Sequence, residues 1–427
     1  MKTLLLSCCI VTAGARLSAG TAFEEHLIAG GLTYPYGINA ADLNGDGKID
    51  LTLADARMDN AVYWFENDGA GKFTRHLIFR LPPPSWRLER HELADVNKDG
   101  LIDIVIVENS AGCLFWLENP GPAGIRGLWR EHLVTLAARV PGAYDVAVGD
   151  VDGDGWPDVA ASSWRLGNMF SWHRNPGPAL REGGDYRIKA ASDNNWAEWK
   201  QYNVAENLLE TRMIRLADMD GDGDLDMAGT ATRSGMVLWL ENPGKGLVTS
   251  EPHPFATGYG TRLMWSQHVI DRTGRPAHGQ IADMDGDADP DLLLASGMAA
   301  DVAPSEVMPV VHEITWHENL GGGKRWRKHV IATPFPEAFE AVAADFDLDG
   351  DLDVVATAWI AQSGVSLAWF ENKGSDRWIL HPLKKDWPHT VQVIAADIDG
   401  DGRPDIVVSA EDGAAELRWW RNAGTAR

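Results

Sequence analysis

The sequence predicts an all-β fold: a seven-bladed β-propeller of four-stranded blades, with its ring closed by the N-terminal strand. Three observations predict it. An acidic nine-residue segment recurs seven times along the 427 residues, a tryptophan-containing turn signature recurs seven times in register with it, and a histidine-containing signature is split between the two ends of the chain. Successive acidic segments lie roughly 52 to 68 residues apart, enough for four short strands and their turns.

The acidic segments are DLNGDGKID (Asp42 to Asp50), DVNKDGLID (Asp95 to Asp103), DVDGDGWPD (Asp150 to Asp158), DMDGDGDLD (Asp218 to Asp226), DMDGDADPD (Asp283 to Asp291), DFDLDGDLD (Asp345 to Asp353) and DIDGDGRPD (Asp397 to Asp405). Each precedes a short apolar run such as IVIV (Ile104 to Val107) or VVAT (Val354 to Thr357), the pattern of a buried strand. The second signature follows: WFENDG from Trp64, WLENPG from Trp116, WHRNPG from Trp172, WLENPG from Trp239, WHENLG from Trp316, WFENKG from Trp369 and WWRNAG from Trp419. What recurs in every unit is most simply scaffold. The tryptophans are therefore expected to pack between neighbouring blades, and the Glu-Asn-x-Gly segments to form hairpin turns.

The third signature places an aromatic residue three before a histidine, as in FTRHLI, WREHLV, WSQHVI, WRKHVI and WILHPL; the third unit has WKQYNV, with Tyr202 in the histidine position. Its first copy, FEEHLI (Phe23 to Ile28), precedes any acidic segment, and the last unit ends without one. The two ends thus complete one unit between them, which closes a ring and leaves no free sheet edge between first and last blades. His26, His76, His132, His268, His329 and His381 sit in six different units and cannot converge on one ion, so a structural hydrogen bond is expected of each.

The formal charge of −24 argues against a nucleic acid or an anionic membrane as partner. Residues 1–22 combine Lys2, an apolar run from Leu4 to Ala15 and small residues, and read as an export signal, with residues 23–427 as one propeller domain in a secreted, extracytoplasmic protein. No later run is long enough for a membrane-spanning helix. Loss of the leader would leave Cys113 alone, so disulfides are not expected to stabilise the fold. A closed ring needs no partner for stability, and a monomer is expected.

Positions 1, 3, 5 and 9 of each acidic segment supply hard oxygen donors, with no histidine or cysteine among them, and a glycine at position 6 lets the backbone turn tightly. The candidate ligands are Asp42, Asn44, Asp46 and Asp50; Asp95, Asn97, Asp99 and Asp103; Asp150, Asp152, Asp154 and Asp158; Asp218, Asp220, Asp222 and Asp226; Asp283, Asp285, Asp287 and Asp291; Asp345, Asp347, Asp349 and Asp353; and Asp397, Asp399, Asp401 and Asp405. The donor set suits Ca²⁺ better than Mg²⁺. The segments hold 29 of the 62 acidic residues, and seven Ca²⁺ ions, bringing fourteen positive charges, would move the formal charge from −24 to −10. Ala288 stands at position 6 of the fifth segment, where a left-handed backbone is costly, so the site at 283–291 is expected to be the weakest.

The DxDxDGxxD pattern between two strands of each unit resembles the FG-GAP or VCBS repeat family, whose propellers include the integrin α-subunit head. The resemblance covers nearly the whole chain after residue 22 and implies the propeller fold and calcium loops. It implies no single activity, because such propellers serve in adhesion, in lectins, in polysaccharide lyases and beside the cupin domains of fungal aldos-2-ulose dehydratase, domains this chain does not contain.

Function is expected where the units differ. In this family the strand before the acidic loop is innermost, so residues just upstream should line an axial mouth on the face opposite the loops, joined by the connection after the next strand. That face is expected to collect Tyr34, Tyr36, Arg57, Trp86, Arg87, Arg90, His91, Glu108, Trp164, Arg165, Arg212, Arg233, His278, Trp359, Trp387 and His389. Arginine forks suit carboxylates or sulfates and exposed indoles suit sugar faces, so the expected ligand is an acidic polysaccharide or cell-surface glycan bound by Arg57, Arg87, Arg90, Arg165, Arg212, Arg233, Trp164, Trp359 and Trp387. Were the protein an enzyme, β-elimination on a uronate would be the chemistry, with His91, His278, His389 or Tyr36 as acid or base. The alternative is a non-catalytic adhesion or protein-binding propeller. The insertions Pro178 to Ala197 and Lys245 to Leu263 are expected on the acidic-loop face, and the loop Ser296 to Glu313 at the mouth.

Overall fold

The computed structural model describes residues 21–57, 60–81, 87–181, 199–244, 261–298, 308–360 and 364–425. Residues 1–20 of the expected leader, Trp86, and most of the two insertions and of the loop after Ser296 therefore lie outside the described residues.

Every second strand of a blade begins on the ninth residue of an acidic segment, as in Asp50–Asp55, Asp103–Glu108, Asp158–Ser163 and Asp226–Ala231, and is buried along its whole length. The apolar runs explain this, because a strand covered on both faces by neighbouring blades needs no polar face. Each pairs with the strand before the loop and with the strand that carries the tryptophan signature, giving seven antiparallel sheets. Six take their four blade strands in chain order. In the seventh, Thr21–Ala29 pairs with the last strand, Glu416–Thr425, with His26 opposite Trp419. The N-terminal strand therefore closes the ring, as expected, and it begins two residues inside the segment read as leader. Across the same junction Ser409 Oγ donates to Tyr36 O at 2.9 Å.

The first strands of the blades form the inner ring: Pro35–Ala41, Leu88–Ala94, Ala143–Gly149, Thr211–Ala217, Pro276–Ala282, Ala338–Ala344 and Thr390–Ala396. The end of the second insertion adds a two-residue strand, Thr261–Arg262, parallel to the outer strand of blade three, so a connection from blade four covers its neighbour's edge. One five-residue 3₁₀ turn, Gly177–Arg181, is the helical element among the described residues.

The core lies between blades. Trp64 packs with Ile104 and Phe115 of blade two, Trp116 with Val146 and Val159 of blade three, and Trp419 with Leu51 and Tyr63 of blade one. Each signature tryptophan is at most 6% exposed, and removing such a ring costs about 3–5 kcal/mol. The third-signature histidines stack on these indoles at 4.1 to 5.0 Å, and Tyr202 does so at 4.5 Å on Trp172. Nε2 of His76, His132, His268, His329 and His381 also meets the glutamate of its own Glu-Asn-x-Gly turn at 2.7 to 2.9 Å. A scaffold role accounts for the repetition.

Candidate functional site

The acidic loops fold by turning their own N–H groups onto the first carboxylate. In loop four Asp218 accepts from Gly221 N at 2.8 Å, Asp222 N at 3.0 Å and Gly223 N at 2.9 Å. Position 6 is left-handed, including Ala288 at φ 73°, and so is position 4, where Lys98 and Leu348 replace glycine at φ 57° and 59°. Carboxylate oxygens converge within 4.8 Å of one another in five loops: Asp150, Asp152 and Asp158; Asp218, Asp220 and Asp222; Asp283, Asp285 and Asp291; Asp345, Asp347 and Asp349; Asp397, Asp399 and Asp405. Loops one and two have an amide oxygen at position 3 in place of a carboxylate, from Asn44 and Asn97.

The residues present fit a hard cation. Asp50 Oδ2, Asp150 Oδ1 and Asp399 Oδ1 are buried without a hydrogen-bond donor. Burial also pushes the ninth-position carboxyls up, Asp50 to about 6, Asp103 to about 8 and Asp158 to about 7, because desolvation disfavours their charged form. In loops three, six and seven a side-chain cation reaches the acids: Arg174 on Asp152 and Asp154, Lys373 on Asp347, and Arg421 on Asp399. Arg174 and Arg421 take the place of the glutamate in the turn signature.

The ninth aspartate has a second task. One of its oxygens accepts from the backbone N–H of the signature asparagine in all seven blades, as Asp103 Oδ1 does from Asn119 at 2.8 Å. That asparagine's Nδ2 donates to the same blade's loop and, in six blades, to position 2 of the preceding blade's loop; Asn119 reaches Ile102 O and Leu43 O, both at 3.0 Å. The turn is a staple between blades, which its hairpin sequence alone does not reveal.

The axis departs from expectation. Tyr36, Arg90, His91, Arg212, His278 and Trp387 are all under 5% exposed, not arrayed around an open mouth. Arg90 forms a two-pronged pair with Glu340 across the ring, at 2.9 and 2.7 Å. Arg212 Nη1 donates to the Tyr144 hydroxyl at 2.9 Å, which also meets His278 Nε2 at 3.2 Å and the Tyr36 hydroxyl. His91 Nε2 meets Thr52 Oγ1 at 2.7 Å, and burial, with the Arg90 charge, holds its imidazole down to about 3. Burial likewise lowers His278 well below the ordinary range and raises Tyr36 well above it. Trp387 Nε1 donates to Glu416 at 3.2 Å, and Glu108 closes its own turn by accepting from Ser110 N at 3.2 Å. The reason is packing: seven inner strands converge closely, and their polar side chains pair with one another.

The rim keeps a smaller set at the surface. Arg57 lies over the Tyr34 ring at 4.0 Å and pairs with Asp412 at 3.1 Å, and Arg165 lies over Trp164 at 4.0 Å with Glu210 at 3.4 Å. Half-buried His389 stacks on Trp359 at 4.3 Å and meets Asp412 O. Arg87 pairs with buried Glu89 at 2.8 Å, and Arg233 is half-buried. Glu89, Glu210, Glu340 and Asp412 occupy the same upstream and loop positions as the arginines, so the arginines are largely neutralised from within. Reading acids and bases together at equal distance from each loop would have found these partners.

The sequence of FG-GAP-like repeats matches residues 42–106, 95–161, 283–356 and 345–408, more than half of the chain. This chain belongs to the FG-GAP-like repeat family. It is 30% identical to Integrin alpha-PS5 of Drosophila melanogaster over 146 residues, 30% of this chain and 14% of that relative, so it matches only a small part of the relative's length. Crystal structures of BBS1N in complex with ARL6DN, soaked with mercury or with lead, superpose with a TM-score of 0.51 at 11% and 10% identity, covering 96% of this chain and 99% of theirs. That likeness concerns the fold. None of the described helices is long and apolar enough to cross a membrane.

Proposed function

We propose that this FG-GAP-like propeller is a calcium-stabilised, non-catalytic binding module of the adhesion type, working outside the cytoplasm and engaging a protein partner through the rim opposite the acidic loops. One observation carries it. Three of the four residues expected as acid or base, Tyr36, His91 and His278, are enclosed in the axial packing, while the rim exposes Arg57 on Tyr34 and Arg165 on Trp164. A guanidinium held flat on an aromatic ring is a common recognition element for proteins. Ca²⁺ in the acidic loops would hold the blades in place, and extracytoplasmic placement rests on the leader-like composition of residues 1–22 and on the repeat family.

The acidic-glycan reading uses the same surface, and its uronate-lyase form would rest on His389, the remaining candidate base with solvent access. One experiment separates them. Calcium-loaded protein is incubated with a panel of uronate polysaccharides, following the ultraviolet absorbance of an unsaturated product, and in parallel is used to capture extracellular proteins. The expected outcome is no product, and capture lost when Arg57 and Arg165 are both replaced by glutamate. Product formation abolished by His389→Ala would overturn the proposal in favour of a lyase. Saturable glycan binding, sensitive to the same two arginines and without protein capture, would replace the partner class.

A further inference from the structure

At the other end of the axis the ring stays open. A cavity of about 640 Å³ lies on the acidic-loop side of the Arg90–Glu340 pair, lined by Asn39, Glu92, Arg215, Glu340, Val342 and Ile394 among others, and Asp397 of loop seven stands in its wall. Most of its charges are already committed. Both Glu340 oxygens accept from Arg90, and Arg215 Nη1 donates to Asp145 at 2.9 Å and to Ile214 O at 2.6 Å.

Glu92 differs. Its carboxylate accepts one long bond, from the next residue's N–H at 3.4 Å, and no ion pair is formed by it among the described residues. Burial pushes it up to about 7 despite the nearby Arg215 charge. Asn39 commits Nδ2 to His91 O at 2.5 Å, which leaves Oδ1 as an acceptor on the same lining. The remaining wall is aliphatic apart from Gln280 and Gln392, whose Oε1 atoms accept from Ala343 N and Ile38 N, and Arg403, which donates to Asn422 O and pairs with Asp401; it carries no aromatic ring to stack a sugar or a base. Around the opening stand loops whose 29 acidic residues outweigh the fourteen charges of seven calcium ions, so the approach is negatively charged and attracts cations.

We propose that this cavity is a binding site for an organic cation, an ammonium or guanidinium group on an aliphatic stem, with Glu92 as its counter-ion and Asn39 Oδ1 as a second acceptor. The stem lies along Val342 and Ile394. The source is either a free amine or a lysine or arginine side chain of a partner. The site is independent of the rim.

The test is isothermal titration of the full chain at saturating Ca²⁺ with butylguanidinium, its neutral isostere butylurea, and the peptide Ala-Ala-Arg-Ala-Ala with both termini capped. Saturable binding of butylguanidinium or the peptide is expected, with no binding of butylurea and at least about a tenfold loss of affinity in Glu92→Gln, the scale of a lost charge-assisted contact. Tighter binding of the peptide assigns the site to a partner's side chain, and tighter binding of butylguanidinium to a free amine. Val342→Lys, which places a cation inside the cavity, is expected to block both probes and decides the matter if Glu92→Gln does not fold. Absence of saturable binding, equal affinity for butylurea, or unchanged affinity in both variants would overturn the proposal.

Discussion

Position 9 of every acidic loop is aspartate, and in all seven blades it accepts the backbone N–H of the signature asparagine. Six residues before each loop, on the axis, the seven blades carry Tyr36, Glu89, Tyr144, Arg212, Ala277, Phe339 and Val391. The outer circle solves one problem seven times; the axis solves seven different problems at once. The two regions also handle charge differently. Around the loops like charges are crowded, and side-chain cations reach the acids of some loops, as Arg174 and Arg421 do, whereas on the axis opposite charges pair internally, as Arg90 does with Glu340.

The largest expected effect breaks the outer circle. An ion held at a hundred times its dissociation constant adds about 2.7 kcal/mol to folding stability, and under the proposed function several such sites would act together. Chelation of Ca²⁺ is therefore expected to lower the melting temperature by on the order of 10 °C or more, with recovery on re-addition. A melting curve indifferent to chelator, with no metal by elemental analysis, would mean that Arg174, Lys373, Arg421 and protonated carboxyls neutralise the loops unaided.

The next effect breaks the axis. Arg90→Met leaves the buried Glu340 carboxylate with Arg215 Nη2 at 3.8 Å as its remaining ion-pair partner and is expected to cost about 3–5 kcal/mol in urea unfolding, while Arg90→Met combined with Glu340→Leu costs much less, because the poorly paired buried carboxylate is removed as well. A single substitution costing under about 1 kcal/mol would show that water reaches the pair and that the axis is more open than its packing implies.

The contrast explains what the sequence could disclose. Strand order, ring closure and the burial of the signature tryptophans between blades were legible because each signal repeats, and repetition averages out local accident. The axial site was legible only in part: Tyr36, Arg90, His91, Arg212 and His278 do lie upstream of their loops as expected. Whether they face solvent or one another depends on contacts between residues far apart in the chain, such as Arg90 with Glu340, 250 positions away, which no local pattern encodes. Reading arginines without the glutamates at matching positions made a self-neutralised axis resemble an anion receptor. The asparagine staple was hidden for a different reason. Glu-Asn-x-Gly is also a good turn sequence, and one function masked the other.

The smallest expected effect tests whether the seven loops are as equivalent as the outer circle suggests. Ala288 holds φ 73° at the position where the corresponding residue of loop four, Gly223, holds φ 92°, and a left-handed residue with a Cβ costs roughly 1–2 kcal/mol. Ala288→Gly removes that strain but loosens the unfolded chain by about 0.4–1 kcal/mol. The net gain should therefore be about 1 kcal/mol or less, read as a rise in the urea midpoint at saturating Ca²⁺ with unchanged slope. Gly223→Ala should cost a similar amount in the opposite sense. If Ala288→Gly is instead destabilising, the methyl group contributes packing that outweighs its strain, and loop five is an adapted loop, not a weakened copy of its neighbours.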